Sequence, residues 1–292
     1  MLTAYAQLAA SMALVGVNVA AAKTLAAALP IAMVAGLRCL LAVAVLLPLA
    51  LWRDGAVLPS PTVRWNLFWQ ALLGTVLYNA ALLLGLRLTS ALEGGLVLAT
   101  IPAVVALGSA WWLRERLSAR GWAAALLAAG GIGAVTLARA APGAGGTAAG
   151  NALVFLAVCG EAAYALLAKR VAGQAPVLTA SLWMQGFSAL LLLPLWLPWA
   201  GAAAALAAPD LAALLVFHAL TASVLCLLLW YAGLARAPAS VAGVFTAFLP
   251  AAAALTAVAF LGERFTAAHG IGFVLMLGSV LLATWPGRRA AV

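Results

Sequence analysis

The sequence predicts an all-α integral membrane protein with ten transmembrane helices, built as two inverted five-helix repeats. Three observations carry this reading. Charged residues make up 7% of the chain and apolar residues 67%, with a mean hydropathy of +1.18; a soluble domain carries roughly 25% charged residues. Apolar stretches long enough to cross a bilayer as helices recur from end to end. Finally, one segment is written twice: Leu113-Arg114-Glu115-Arg116-Leu117 returns as Leu261-Gly262-Glu263-Arg264-Phe265, 148 residues later. The same offset pairs Gly85 with Gly233, Gly95 with Gly243, Pro102 with Pro250 and Gly130 with Gly278, and residues 85–137 share sixteen identities with 233–285. Such internal similarity sets the architecture before any local reading.

The spans fall near 3–22, 31–51, 65–86, 90–112 and 120–138 in the first half. They fall near 151–169, 177–199, 210–232, 239–260 and 267–285 in the second. Breakers punctuate them. Pro30, Pro59, Pro61, Pro142, Pro176, Pro209, Pro238 and Pro286 sit in connections or first turns, where a missing N–H costs nothing. Pro48, Pro102, Pro194 and Pro250 fall inside spans and are expected to kink them. The first span lacks a basic segment before it and has an internal counterpart near 151–168, so it reads as a retained helix and not a leader. The units are residues 1–139, a linker at 140–150, residues 151–286 and a tail at 287–292.

The net charge of +9 is distributed singly or in small groups at the ends of apolar runs. That is a topology signal and not a nucleic-acid face. With the N-terminus in the cytoplasm, ten basic residues lie at cytoplasmic ends (Arg53, Arg64, Arg114, Arg116, Arg120, Lys169, Arg170, Arg236, Arg288, Arg289). Four lie at outer ends (Lys23, Arg87, Arg139, Arg264). Both termini are therefore expected inside. Five spans per half force the second half to enter the membrane upside down, so Glu115-Arg116 and Glu263-Arg264 mark opposite faces. Inverted repeats of this kind build secondary transporters whose substrate site lies at midplane between the halves.

Ionisable groups within the hydrocarbon are expensive and are functional candidates by default. Glu161 is the deepest acid, near the middle of the sixth span, and is a candidate for proton coupling or for binding a cationic group. Glu93 enters the fourth span from outside and is the second coupling candidate and a substrate-binding candidate. Arg38, in the second span, reads as structural, snorkelling or paired. Asn18, Tyr78, Asn79 and Tyr164 offer hydrogen-bonding groups to a substrate in a mostly apolar cavity. His218 is mid-span and is also a substrate-binding candidate; the repeat pairs it with Gln70, which suggests a site on the pseudo-twofold or matched packing. Trp230-Tyr231, Trp111-Trp112, Trp196 and Trp199 read as interfacial belts, and Trp183 is left open. Glu115, Arg116, Glu263 and Arg264 are read as helix ends or a gate latch.

Cys39, Cys159 and Cys226 lie in separate apolar runs and form no metal spacing or disulfide framework. No cofactor is called for. A membrane-embedded lipid or prenyl transferase would need clustered acids or a His/Glu metal set, which six scattered acidic residues do not supply. A pore would need rings of repeated polar groups from several subunits, whereas the internal repeat suits a self-contained monomer. The expected partners are a small-molecule substrate and the lipid bilayer.

The residues also resemble the drug/metabolite transporter superfamily, in its EamA branch, over nearly the whole chain. The resemblance rests on Gly16-Val17-Asn18 through Lys23, Pro30 to Arg38 followed by Leu40-Leu41-Ala42, and Pro176 through Gln185. It continues with Thr89-Ser90-Ala91, Glu93, Pro102 and Leu113 to Leu117, and with Ala239, Pro250 and Leu261 to Phe265. Position 15, where a Trp often precedes the Gly, is Val15. The resemblance implies a ten-helix exporter-like fold with a central cavity lined mainly by helices 1, 3, 4, 6, 8 and 9. The expectation is a bacterial inner-membrane exporter of amino acids or amphipathic drug-like metabolites, working by alternating access, with proton antiport as an option.

Overall fold

A computed structural model of the chain describes residues 1–55, 57–89, 94, 97–138, 147–260 and 267–284. Among them the helices are α1 (Leu2–Ala28), α2 (Ile31–Arg53), α3 (Pro61–Leu88), α4 (Ile101–Trp112), α5 (Ala119–Ala138), α6 (Ala148–Val171), α7 (Val177–Trp196) and α8 (Pro209–Leu234). They continue with α9 (Ala239–Phe245), α10 (Phe248–Phe260) and α11 (Ala267–Thr284). Among the described residues five helical stretches are long and apolar enough to cross a membrane: α2, α3, α6, α7 with its continuation to Ala207, and α8.

Local chemistry explains most boundaries. Pro30, Ser60 with Pro61, Pro176 and Pro209 open helices where an N–H is not needed. Thr147 caps α6, its Oγ1 accepting from the Gly150 N–H at 3.0 Å. This helix starts at Ala148, three residues before the expected boundary. Pro48 and Pro194 lie inside continuous helices. Beyond α7 the chain runs as a 3-10 helix, Leu197–Ala207, where a loop was expected. The ninth expected span is broken: Thr246 Oγ1 donates to Gly243 O at 2.7 Å, closing a turn between α9 and α10.

Two features have no counterpart in residue type. α3 widens into a π-turn at Leu72–Leu77 and α8 into another at Ala219–Leu225. The repeat offset carries 72–77 onto 220–225, so the two turns occupy equivalent places. A π-turn leaves carbonyls poorly served by the helix itself. Neighbouring side chains take them up: Asn79 Nδ2 donates to Thr75 O at 2.6 Å, Gln185 Nε2 to Ser223 O at 2.8 Å and Ser11 Oγ to Cys226 O at 2.9 Å.

Helix contacts exchange between the halves. α1 packs on α8 and α10, and α6 packs on α3 and α4; α3 meets α7 where α8 meets α2. α2 with α7, α4 with α9, and α5 with α11 pair across the centre. The main core joins α1, α3, α4, α6, α7, α8 and α9 around Leu8, Leu67, Val105, Trp230, Leu234 and Phe245. Trp230 and Tyr231 are 2% and 4% exposed, which corrects their reading as interfacial residues: the end of α8 is covered by α1 and α6. Trp111, Trp112 and Trp199 are exposed, as belt residues would be. Trp196 lies in contact with Gly36 of α2. Trp183 packs against Phe187 with the rings tilted by 51°, and lies under the Arg64 guanidinium at 5.8 Å.

Close backbone approach rests on glycine where α6 begins beside the end of α3. A Cβ on Gly150 would lie 2.6 Å from the Leu88 carbonyl carbon and 2.8 Å from its oxygen. The α3–α6 junction there is locked by Thr147 Oγ1 donating to Leu88 O at 2.7 Å and Thr89 Oγ1 donating to Asn151 Oδ1 at 2.5 Å. Gly150→Ala is expected to cost about 1–3 kcal/mol by overpacking against backbone, read as a lower thermal midpoint in detergent. Gly278→Ala, whose Cβ meets nothing within 4 Å, should stay within about 0.5 kcal/mol.

Candidate functional site: a central cavity beside Glu161

A cavity of about 400 Å³ lies in the middle of the bundle. Its polar wall is Glu161 of α6, Arg38 of α2, and Thr75, Tyr78 and Asn79 of α3. Its apolar wall comes from α1 (Met12, Val15), the start of α4, α5, and the α9–α10 break at Thr246 and Leu249. Both repeat halves contribute. The α3–α6 contact that frames it is tight: a Cβ on Gly74 would sit 2.7 Å from Tyr164 Cβ, and one on Gly160 2.9 Å from Leu73 O. These two glycines let the π-turn of α3 lie against α6, bringing Tyr78 and Asn79 to the same cavity as Glu161.

Among the described residues Glu161 makes no ion pair or hydrogen bond, and it is only partly buried. A carboxyl facing a cavity in this state can take a proton or a cationic group. Arg38 shares the cavity but spends Nη1 on Ser223 Oγ at 2.7 Å, anchoring it to the π-turn of α8. The sequence read Arg38 as a structural, paired or snorkelling residue. It is held by a partner, and it is also part of the cavity wall. Thr75 Oγ1 and Ser188 Oγ, 3.2 Å apart, extend the polar lining toward α7.

The other expected site residues lie elsewhere. Asn18 and His218 are 2% and 7% exposed and bind each other, His218 Nδ1 to Asn18 Oδ1 at 2.8 Å. Thr221 Oγ1 donates to the same oxygen at 3.0 Å, and Asn18 Nδ2 donates to Leu14 O at 2.9 Å. An amide oxygen only accepts, so Nδ1 carries the proton. This α1–α8 network consumes the groups expected to face a substrate, and neither residue lines the cavity. Gln70 is likewise engaged, accepting from Tyr231 Oη at 2.6 Å and donating to Asn66 Oδ1 at 2.7 Å. The paired polar positions of α3 and α8 are thus each matched to their own neighbours. Tyr164 stacks on Trp230, centroids 6.4 Å apart. In place of α8, the cavity draws on α2 and α5. Asn18→Leu is expected to cost about 1–2 kcal/mol through lost interhelical hydrogen bonds, lowering the thermal midpoint while leaving the transport KM within twofold. An unchanged midpoint with a tenfold KM shift would return Asn18 to the binding site.

At the basic face, Glu115 bonds the first turn of α9. Its Oε1 accepts from the Ala239 N–H at 2.7 Å, and its Oε2 from the Ser240 N–H at 3.1 Å and Ser240 Oγ at 2.7 Å. One carboxylate therefore caps the N-terminus of α9 from the loop after α4, the favourable pole of the helix dipole. The loop reaches it through a left-handed Arg114, φ 54°, after which the Glu115 N–H returns to Ser109 O at 3.0 Å. The second copy of the segment has Gly262 at the paired position, the residue that adopts this conformation freely. Lys169 Nζ caps the end of α8 at Leu234 O, 2.8 Å away, on the same face. Arg116 lines a separate pocket beside Glu115. Glu93, Glu263 and Arg264 lie outside the described residues.

No group of three or more His, Cys, Asp or Glu side chains that could hold a metal occurs among the described residues. Cys39, Cys159 and Cys226 are free thiols.

The chain is similar to known transporters throughout its length. The model of the EamA-like transporter family matches it twice, over residues 2–137 and 148–285. The uncharacterized transporter YetK of Bacillus subtilis (strain 168) is 32% identical over 285 residues, covering 96% of this chain and 86% of YetK. A solved crystal structure shares the fold at a TM-score of 0.76, with 21% identity and 95% of each chain covered. With a repeated helical unit, apolar membrane-length helices and two family matches, the chain is a multi-pass membrane transporter and not an enzyme, and it belongs to the EamA-like transporter family.

Proposed function

We propose that this protein is a secondary transporter that exports small organic metabolites by alternating access, with ten spans arranged as two inverted five-helix repeats. The units are residues 1–139 and 151–286, joined by 140–150. The observation that carries the reading is the central cavity, walled by both halves around Glu161. The exchange of helix contacts between halves and the equivalent π-turns of α3 and α8 support the symmetry. Family membership supports a small-molecule substrate. One mouth of such a site closes when helices of one half tilt against the other, and pseudo-symmetry makes the two closed forms equivalent.

The substrate class follows from the wall: mostly apolar, with one carboxyl, one guanidinium, a phenol and an amide. Amino acids and amphipathic metabolites fit this better than phosphates, which call for several basic groups. Glu161 is the proposed proton-coupling residue. Tyr78 and Asn79 are proposed as substrate-binding residues beside it. The chain is placed in a bacterial inner membrane as a monomer, with both termini and the basic face cytoplasmic, following the Lys/Arg distribution. A thermal-shift screen of amino acids and amphipathic metabolites on purified protein, followed by counterflow of the hits in liposomes, tests this reading. Saturable uptake with a transient overshoot is expected. Single-channel currents without overshoot would overturn it in favour of a pore.

A further inference from the structure

A groove of about 390 Å³ runs along α7 and shares no lining residue with the central cavity. Its floor is a single stripe of that helix: Thr179, Leu182, Trp183, Gly186, Phe187 and Leu190 recur at the three- and four-residue spacing of one face. Leu47 and Leu51 of α2 form its bank, with Leu58 of the α2–α3 loop at the basic-face end. Leu47, Leu51, Leu58 and Leu190 are exposed, so the groove opens to the membrane and not to the transport path. Gly186 leaves its middle free, since a Cβ there meets nothing within 4 Å. From Thr179 to Leu190 the stripe rises about 16 Å, close to half of the roughly 30 Å hydrocarbon core. An acyl chain of one leaflet matches that depth and that chemistry.

A cation stands beside this groove. A second cavity of about 360 Å³ shares Trp183 and Phe187 with it and is also lined by Arg64, Trp65 and Phe68 from the first turns of α3. Trp65 stacks on Phe68 at 5.1 Å and is exposed, as an indole at head-group level is. The Arg64 guanidinium lies over the Trp183 ring, 5.8 Å from its centroid. Among the described residues it has neither a carboxylate nor a hydrogen-bond acceptor, and its Nε is buried without one. Stacking on an indole occupies the flat face of a guanidinium and leaves the N–H groups at its edge for the oxygens of a phosphate. Asp54, at the end of α2, adjoins the groove through Thr179. Its Oδ2 accepts from the Thr179 N–H at 3.1 Å and from Thr179 Oγ1 at 2.7 Å, and the N-terminal end of α7 offsets its charge.

We propose that this site binds an acidic phospholipid of the leaflet on the basic face, with its head-group phosphate on Arg64 and one acyl chain in the α7 groove. A basic group between membrane helices at head-group depth suits an anionic head group, and the apolar groove beside it holds one chain of the same molecule. The bound lipid bridges α2 and α3 to α7, elements of both halves of the bundle. Binding requires only the multi-pass fold and does not depend on the transport reading.

The test uses purified full-length protein delipidated in a neutral detergent. Phosphatidylglycerol, phosphatidylcholine with the same acyl chains, and inorganic phosphate are added separately. Thermal midpoint and lipid retention by native mass spectrometry are read. Phosphatidylglycerol should be retained as a single adduct at a tenfold lower concentration than phosphatidylcholine and should raise the midpoint. Arg64→Gln should lose that preference. Gly186→Leu, which fills the groove from a position with open space around its Cβ, should lose the adduct while keeping the midpoint of the lipid-free protein. Arg236→Ala, just past α8 on the same face and outside both cavities, should keep adduct and preference. Equal retention of the two lipids by the unmodified protein overturns the proposal without need of any variant. Stabilisation by inorganic phosphate equal to that by phosphatidylglycerol overturns the lipid assignment in favour of a free-anion site. Preference retained in folded Arg64→Gln, or an undiminished adduct in folded Gly186→Leu, overturns the site.

Discussion

Glu161→Gln is expected to abolish the pH dependence of efflux in vesicles between about pH 5 and 8 and to lower the transport rate about tenfold or more, an effective loss of about 1.4 kcal/mol per factor of ten. Glu161 borders the central cavity, and among the described residues it has no ion pair or hydrogen bond to tie it to structure. A carboxyl in that position can exchange a proton for substrate as the cavity changes sides; a glutamine of the same shape keeps the packing but cannot. Arg38→Gln, which removes the cavity's cation but leaves Glu161, should alter substrate affinity while leaving a pH dependence. A pH profile in E161Q that still matches the unmodified protein would rule Glu161 out as the coupling group.

The second large effect concerns Glu115. Its three hydrogen bonds tie the loop after α4 to the start of α9, and on the proposed mechanism they hold the basic face shut. Charge-assisted bonds and helix caps of this sort contribute about 1–2 kcal/mol, enough to change a two-state population by roughly tenfold. Glu115→Ala should therefore lower the thermal midpoint. It should also raise about tenfold the rate at which an impermeant maleimide, applied from the basic face, reaches a cysteine placed at Thr246, a residue that lines the central cavity. A lower midpoint with an unchanged labelling rate would make Glu115 a structural cap and remove it from the gate. The repeat gives this prediction a partner. Glu263 sits in the second copy of the segment, and under the inverted arrangement it would act on the opposite face.

Much of this was legible in the sequence, for physical reasons that can be named. Helix starts at Ile31, Val177 and Ala239 follow directly from the preceding prolines, since proline fixes the backbone where a helix begins. Glu161 was found because any acid in a long apolar run stands out against its cost, and Tyr78 and Asn79 because they lie at the same depth. What escaped was set by long-range contact. Nothing in α2 says that Arg38 will lie on a cavity wall; that depends on Ser223, 185 residues away, accepting from its guanidinium. Asn18 and His218 looked free because their mutual bond spans 200 residues. Trp230 looked interfacial because it lies near the end of a run, but Tyr164 and the α1 contact cover it. The π-turns carry no distinctive residue type at all, and only their repetition at the same offset marks them.

On the proposed mechanism one cavity is reached alternately from the two faces. A single cysteine at position 246, in a chain whose Cys39, Cys159 and Cys226 are replaced by Ala, tests it most directly. Labelling by an impermeant maleimide is measured in right-side-out and inside-out vesicles, with Glu115 intact or replaced by Ala. The account predicts protection from the basic face with Glu115 intact, reaction from the opposite face, and a shift of reactivity toward the basic face in Glu115→Ala at the expense of the other. Simultaneous full reaction from both faces, or none from either in both backgrounds, would contradict it.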